Sequence, residues 1–355
     1  MNPLISIIIP HWNHRDVLVE CLHSLKSTKY SPVEIIVVDN HSTDDSVEYI
    51  RANFPEVQLV ENKENRGFAG GCNDGARFAK GKYLLILNND TTQEPDWLEH
   101  LVEFMESHPT IGVAQPKLIN ATDTSLFDYS GAAGGFMDRY GFPFARGRIF
   151  DSIEKDEGQY NTPVQTFWAS GTACLLRREV YEQIDLFDEV FFAHMEEIDM
   201  NWRAQLAGWD IAVVPSAIVY HHSGFTLPPD SPFKKYLNHR NSVLMLIANY
   251  KLFRSITRGL QRWLLDLMAM VFALVGRDWS RAGAIIKAWW WILVHPTTIL
   301  RKRIAVRRIR KRSDREMDQR LYRASIALEH YLFRRKQWEA SLHAIAEIEE
   351  NTSPE

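Results

Sequence analysis

The sequence predicts an α/β domain built on a doubly wound mixed sheet, followed by a helical C-terminal region, and three observations predict it. Short β-branched runs alternate with helically spaced apolar residues over the first 120 residues. Polar residues cluster where each run ends. Charge divides with position: residues 1–235 carry 19 Lys+Arg against 34 Asp+Glu and residues 236–355 carry 22 against 11, so the parts stand at −15 and +11. The domain boundary is expected slightly earlier, at a proline-rich exit beginning at Leu227, giving a sheet domain over 1–226 and a helical, basic region over 227–355.

Leu4 to Ile9, stopped by Pro10, and Val33 to Val38, ending at Asp39, read as buried strands. Between them Val17, Leu18, Cys21, Leu22 and Leu25 fall at helical spacing, which makes a right-handed strand–helix–strand unit. Val57 to Val60 and Tyr83 to Leu87 add two strands, with a helix expected around Asn73 to Ala79. From Ile119 to Val164 no period is sustained, and the segment reads as functional loops. Strands over Ala173 to Leu176 and Ile211 to Val214 and a helix over Glu196 to Ala207 complete the sheet, with Leu227 to Pro232 as the exit.

Of 355 residues, 45% are hydrophobic and 24% charged, which excludes a disordered or collagenous chain. Three widely spaced cysteines exclude a disulfide framework or a cysteine metal site and favour a reducing, cytoplasmic compartment. Met1 to Pro10 lacks the basic start and apolar length of a signal peptide.

In the C-terminal region Leu264 to Val275 contains Asp266, and Ala282 to Leu300 is interrupted by Lys287 and His295–Pro296, so neither reaches the ~20 apolar residues of a spanning helix. Interfacial helices are expected, with Trp289, Trp290 and Trp291 at headgroup level. Arg301 to Arg312 then carries eight basic residues in twelve, a polybasic strip suited to anionic lipid or to a solvated bundle face. No zinc spacing or RNA-recognition motif accompanies it, so nucleic acid is not expected as a partner. Met317 to Ile348, with Leu321, Leu328, Leu332, Trp338, Leu342 and Ile345, can pack on its own domain or on a second subunit as a homo-oligomer.

Ligands of open α/β sheets bind beyond the carboxyl ends of strands. Four clusters lie there: Pro10-His11-Trp12-Asn13, Asp39-Asn40-His41-Ser42, Arg66-Gly67-Phe68-Ala69-Gly70-Gly71-Cys72-Asn73 and Asn88-Asn89-Asp90-Thr91. Asp39 can accept from a base or ribose, Arg66 can meet a diphosphate, and Gly67 and Gly70 allow close backbone approach, either of a ligand or in a tight turn. Asp90 can hold Mg²⁺ or Mn²⁺ bridging phosphate oxygens, or cap a helix.

In this order SIIIPHWN, VVDNHSTDDS, ENRGFAGGCNDG and LLILNNDT, followed by a Glu-Glu-x-Asp segment, closely resemble the family-two glycosyltransferases of the GT-A fold over residues 4–224, and within them bacterial rhamnosyltransferases. The resemblance implies that Asp39 reads the nucleotide base, with Pro10, Trp12, Asn13, Asn40, Arg66, Gly67, Gly70, Asn73 and Asn89 around the nucleotide-sugar. It implies that Asp90 holds the metal with the diphosphate, that Asn88 stands where many relatives have an acid, and that His221 or His222 completes the site. It places a general base at Glu197, where the usual Glu-Asp pair is Glu-Glu, with Glu196 and Asp199 as competitors. Asp199 can instead pair with Arg203 one turn on. Trp168, Ser170 and Gly171 resemble an acceptor- and sugar-facing loop, although Trp168 equally suits a core.

The implied activity is inverting, metal-assisted transfer from dTDP-L-rhamnose, or from a UDP-sugar such as UDP-galactofuranose or UDP-glucose, to a lipid-linked saccharide at the cytoplasmic face of the membrane. Two rivals stand beside it. A processive synthase would show long apolar spans and a Q-x-x-R-W segment, which are absent. A non-catalytic nucleotide-binding scaffold is allowed by the departures at Asn88 and Glu197.

Overall fold

In the computed structural model, which describes residues 2–222 and 231–337, the first apolar run becomes strand β1 (Ile5–His11), buried throughout. Side chains alternate along a strand, so Ile5, Ile7 and Ile9 enter the core on one sheet face and Ile8 the core on the other. β1 pairs in parallel with β2 (Val33–Asp39), β2 with β3 (Gln58–Glu61), and β1 on its other side with β4 (Tyr83–Leu87). Helices α1 (Arg15–Lys26) and α2 (Ser46–Asn53) bury Leu18, Leu22 and Ile50 against the first face. Helix α3 (Gly67–Ala76) covers the second face. It begins six residues before the helix expected at Asn73, because Gly71 and Gly75 let it press onto Asn40, Pro10, Ile8 and Val38.

The sheet continues through β5 (Thr91–Gln93), β6 (Ile111–Asn120), β11 (Val164–Thr166), β12 (Ala173–Arg177) and β13 (Asp210–His221) in the order β11-β13-β6-β12-β4-β1-β2-β3, with β5 on β13. β12 runs antiparallel to both β4 and β6, which makes the sheet mixed. Helix α4 (Trp97–Ser107) packs on the first face, and α5 (Arg178–Ile184) and α6 (Glu196–Leu206) on the second. The final strand runs to His221 rather than ending at Val214, after a register shift between Val214 and Ile218.

Residues 119–164, expected as loops, are ordered. β7 (Gly135–Met137), β8 (Pro143–Ala145), β9 (Arg148–Ile149) and β10 (Ser152–Ile153) form a small antiparallel sheet over a core of Phe127, Phe136, Phe144, Ile149 and Tyr160. Strands of two or three residues are too short to show a period.

The C-terminal helices are α7 (Pro232–Asn249), α8 (Leu252–Val275), α9 (Trp279–Val294), α10 (Pro296–Ile309), α11 (Asp314–Arg320) and α12 (Ile326–Tyr331). Ser231 caps α7, and Pro296 divides α10 from α9, as a proline at the first helical position does. Val243, Leu246 and Tyr250 share one core with Ile198, Trp202 and Leu206 of α6, so the basic region is packed into the sheet domain. Of the C-terminal segment weighed as a subunit contact, Met317 and Leu321 are buried in this shared core; Trp338, Leu342 and Ile345, like most of the proline-rich exit, lie outside the described residues.

The polybasic strip is half structural. Lys302 pairs with Asp188 at 2.6 Å, Arg310 with Asp314 at 2.9 Å and Arg312 with Asp210 at 2.7 Å, while Arg303 donates to the carbonyls of Ile247 and Tyr250. Arg301, Arg307, Arg308 and Lys311 remain on the surface.

A close approach that sequence cannot reveal fixes the small sheet: a Cβ on Gly135 would lie 2.1 Å from the Trp168 ring. Gly135→Ala is therefore expected to destabilise by about 1–3 kcal/mol through overpacking. Gly283→Ala, in α9 with nothing within 4 Å, is expected to gain about 0.5–1 kcal/mol from backbone entropy. Thermal unfolding of both variants checks the pair, and equal midpoints would contradict the packing.

Candidate active site

β1 and β2 end side by side, with His11 opposite Asp39. The chain turns sharply after each, through Asn13 at φ 57° and His41 at φ 66°. Asp39 accepts from the Ser42 amide at 3.1 Å, Asn13 accepts from the Thr43 amide at 2.8 Å, and the Asn13 amide donates to Ser42 Oγ at 2.8 Å. The two loops are thereby laced into one rim, with Trp12 partly exposed on it. Asn40 donates to the Gly67 carbonyl at 3.0 Å and accepts from Asn62 at 2.9 Å, and Pro10 lies against Gly71. His11, named in the first cluster but given no role, contacts Ser46 Oγ through Nε2 and Asn89 through Nδ1, both at 2.9 Å. Burial lowers its pKa to about 4, so the neutral ring accepts from Asn89 and donates to Ser46.

The glycine-rich segment departs from expectation. Arg66 is held by Asp74 and by Glu189 at 2.6 Å, so its guanidinium is occupied within the protein rather than open for a diphosphate. Asn73 is bound on both sides of its amide to the Phe187 backbone, at 2.8 and 3.0 Å. Gly67, at φ 68°, faces the Phe192 carbonyl, and Gly70 lies against Arg66. The close approach these glycines allow is of protein to protein.

β4 runs out at Asn88-Asn89-Asp90, and β13 brings His221 beside Thr91. His221 Nε2 lies 3.1 Å from Asp90 Oδ1 and 3.3 Å from Asn88 Nδ2, while its Nδ1 lies 2.9 Å from Asp128. All three of His221, Asp90 and Asp128 are buried. Burial alone would lower the imidazole pKa, but the two carboxylates overcome it and raise it to about 10. His222 turns the other way, with Nε2 3.9 Å from Glu20 on α1. Asp128 was missed because it lies in the segment without periodicity.

The loop Ser170–Thr172 lies between this cluster and α6. The Asn88 amide donates to the Thr172 carbonyl at 2.9 Å, and a Cβ on Gly171 would sit 3.5 Å from Glu197 Cβ. Ser170 is buried and bonded to Ser130 and Gln115. Trp168 is core: it is 3% exposed, and its indole N–H donates to the Phe136 carbonyl at 2.8 Å, so it offers no face to a sugar.

Glu196 and Glu197 open α6, and each has one buried carboxylate oxygen without a hydrogen bond. Burial raises both: Glu196, also facing the Glu197 charge, goes well above the usual carboxylate range, and Glu197 reaches about 7. Asp199 takes another role. It is wholly buried, paired with Arg203 at 2.9 Å, and bonded by Asn249 at 2.9 Å and Lys302 at 3.4 Å. Those bonds join α6 to α7 and α10 and leave Asp199 no access to a substrate.

The model of the glycosyl transferase family 2 matches residues 6–185. Among curated proteins the chain is 25% identical over 262 residues to the N-acetylglucosaminyl-diphospho-decaprenol L-rhamnosyltransferase of Mycobacterium tuberculosis, covering 69% of this chain and 85% of the relative. It is 28% identical over 241 residues to the O-antigen biosynthesis protein RfbC of Myxococcus xanthus, covering 65% of this chain and 18% of that one. Among solved structures it resembles GalNAc-T7 with UDP, GalNAc and Mn2+, at a TM-score of 0.55 and 18% identity over 70% of this chain and 48% of that one. It also resembles the mannosyltransferase of Pyrobaculum calidifontis with GDP-Man and Mn2+, at 0.51 and 17% over 82% and 88%. The fold is that of the GT-A glycosyltransferases, and the chain belongs to glycosyl transferase family 2.

Proposed function

We propose that this glycosyltransferase moves L-rhamnose from dTDP-L-rhamnose, with inversion, onto a lipid-linked saccharide in bacterial cell-envelope glycan assembly. The observation that carries the reading is the placement of Asp90–His221 and Glu197 on the two sides of one loop, Ser170–Thr172. The sugar and lipid assignments rest on the M. tuberculosis relative, which is named for both. In this reading the laced loops at Asn13, Asp39 and Asn40 hold the nucleoside. The acceptor hydroxyl gives its proton to the Glu197 carboxylate as its oxygen attacks the anomeric carbon, and the bond to the diphosphate breaks in the same displacement. Glu197 is preferred over Glu196 because it is less buried and ionises near neutrality.

The residues fit a divalent cation. Apart from its 3.1 Å contact with His221 Nε2, the buried Asp90 Oδ1 has no hydrogen-bond partner. Asp90 and His221, with Asn88 beside them, would hold Mg²⁺ or Mn²⁺, which supplies positive charge against the departing diphosphate. Asp128 keeps the Nδ1 proton and so leaves Nε2 as the ligand. Among the described residues no third His, Cys, Asp or Glu joins them, which suits a site completed by phosphate oxygens.

Helix α8 supports a location at the inner membrane surface. It is amphipathic in reverse: Arg258, Arg262 and Asp266 face the protein, while Phe253, Ile256, Leu260, Leu264, Val271 and Val275 are 54–79% exposed. No helix among the described residues is long and apolar enough to cross a membrane. A buried large apolar side chain contributes about 1.5–3 kcal/mol, against about 1 kcal/mol for a basic one near anionic lipid, so this face outweighs the four surface cations left in the strip.

Asp128→Asn is expected to weaken Mn²⁺-dependent binding of dTDP-L-rhamnose about 10–100-fold, measured by calorimetry. Unchanged affinity would remove Asp128 from the site, and binding of UDP-sugars alone would keep the transferase and overturn the donor. Glu197→Gln is expected to lower kcat about 10²–10⁴-fold. Because the base works only when deprotonated, wild-type kcat should rise with pH through about 7, and a flat pH profile would contradict the assignment. The protein should sediment with phosphatidylglycerol vesicles and stay bound in high salt, whereas Leu260→Glu with Leu264→Glu should abolish binding; release of the wild type by salt would contradict an apolar attachment.

A further inference from the structure

The segment that leads into Glu196 and Glu197 is held in a conformation its own residues disfavour. After the short 3₁₀ turn Glu189–Phe191, Phe192, His194 and Met195 take φ values of 64°, 68° and 71°. Three non-glycine residues in the left-handed region within four positions need an external hold, because each suffers the Cβ clash that glycine avoids. None is a position that sequence would mark.

The hold comes from α7. Asn241, with no exposed surface, directs its Nδ2 at three carbonyls of this segment: Phe191 at 3.0 Å, Ala193 at 3.0 Å and His194 at 2.7 Å. Arg240 donates from Nη2 to the carbonyls of Val190 and Phe191, at 2.7 and 3.1 Å. Its Nε donates to Asn241 Oδ1 at 2.8 Å, which fixes the amide so that the NH₂ group faces the loop. The Phe192 carbonyl points the opposite way and accepts from the Ala69 amide of α3 at 3.2 Å. Lys302 adds a third tie, bonded to Asp188 at 2.6 Å and 4.5 Å above the Phe191 ring. The pair on α7 thus bonds the carbonyls of Val190, Ala193 and His194 and joins the Ala193 amide in bonding that of Phe191.

We propose that Asn241 and Arg240 are positioning residues for the transferase reaction, holding the left-handed loop Phe192–Met195 in the one conformation that presents Glu197 beside Gly171. The proposal rests on the reading of Glu197 as the base. It gives α7 a part in catalysis separate from the apolar face of α8.

The test compares Asn241→Ala, Arg240→Gln and Glu197→Gln with the wild-type full chain. Hydrogen–deuterium exchange is read for peptides covering 187–199 and for the strands β1 and β4. Kinetics use dTDP-L-rhamnose with polyprenyl-diphospho-N-acetylglucosamine in detergent, and UDP and dTDP binding is measured with Mn²⁺. Asn241→Ala should raise exchange at least tenfold in 187–199 and leave β1 and β4 protected. It should lower kcat at least thirtyfold while nucleotide Kd and donor KM stay within threefold, a split that general destabilisation would not give. Arg240→Gln, a smaller lesion that keeps a donor, should move the same readouts about fivefold and decides the question if Asn241→Ala does not fold. Unchanged exchange in 187–199, or a kcat within threefold of wild type in a folded variant, overturns the proposal. Full activity in Glu197→Gln instead overturns the base assignment, and the exchange data then judge the hold on the loop by themselves.

Discussion

An imidazole held between two buried carboxylates is the interaction on which the site depends. His221 ties Asp90 at the end of β4 to Asp128 in the segment after β6, and it does so from the last residue of β13. That strand pairs with β6 along its length and with β5 at its tip, and its register shift after Val214 precedes the stretch that carries His221. One ring thus fastens the end of β13, the turn after β4 and the segment after β6 to a single point. Burying two carboxylates beside one ring costs solvation that positive charge on the ring or on a metal ion offsets.

The C-terminal helices are part of the same physical unit. Trp202 of α6 meets Tyr250 edge-on at 5.1 Å between ring centres, in a core that α7 and α10 close. Polar contacts cross the junction too: half-buried Asp188 pairs with Lys302, and buried Asp199 meets Lys302 and the Asn249 amide. Breaking one partner of such a network leaves a charge buried and unpaired, so removal of the helices would disturb the segment that carries the glutamates. The reversed amphipathicity of α8 belongs to this arrangement, since Arg262 and Asp266 pair at 3.0 Å inside and the apolar side is turned out.

Much of the architecture was legible because period and strand-end chemistry are local. Ile5 to Ile9, Val33 to Asp39 and Tyr83 to Leu87 announce parallel strands, and the polar residues after them mark the ligand edge. What failed to read were choices of partner made across the fold. Arg66 looks like a phosphate ligand until Asp74 and Glu189 are beside it, and Trp168 looks like a sugar platform until Gly135 is under it. The basic strip looks like a lipid-binding patch until Asp188, Asp210 and Asp314 claim three of its cations. Asp128 and Asn241 carry no local signal at all, since each acts on a segment far from it in sequence.

The proposed transfer depends on a donor held at Asp90–His221 with its anomeric carbon turned toward Glu197. A structure of the protein with dTDP-L-rhamnose and Mn²⁺ measures that arrangement directly. Such a structure should show a cation bound to Asp90 and His221 Nε2, the diphosphate on it, and the face of the sugar opposite the diphosphate open toward the Glu197 carboxylate. A diphosphate bound away from Asp90, or a sugar whose reacting carbon faces away from α6, would contradict the proposed transfer.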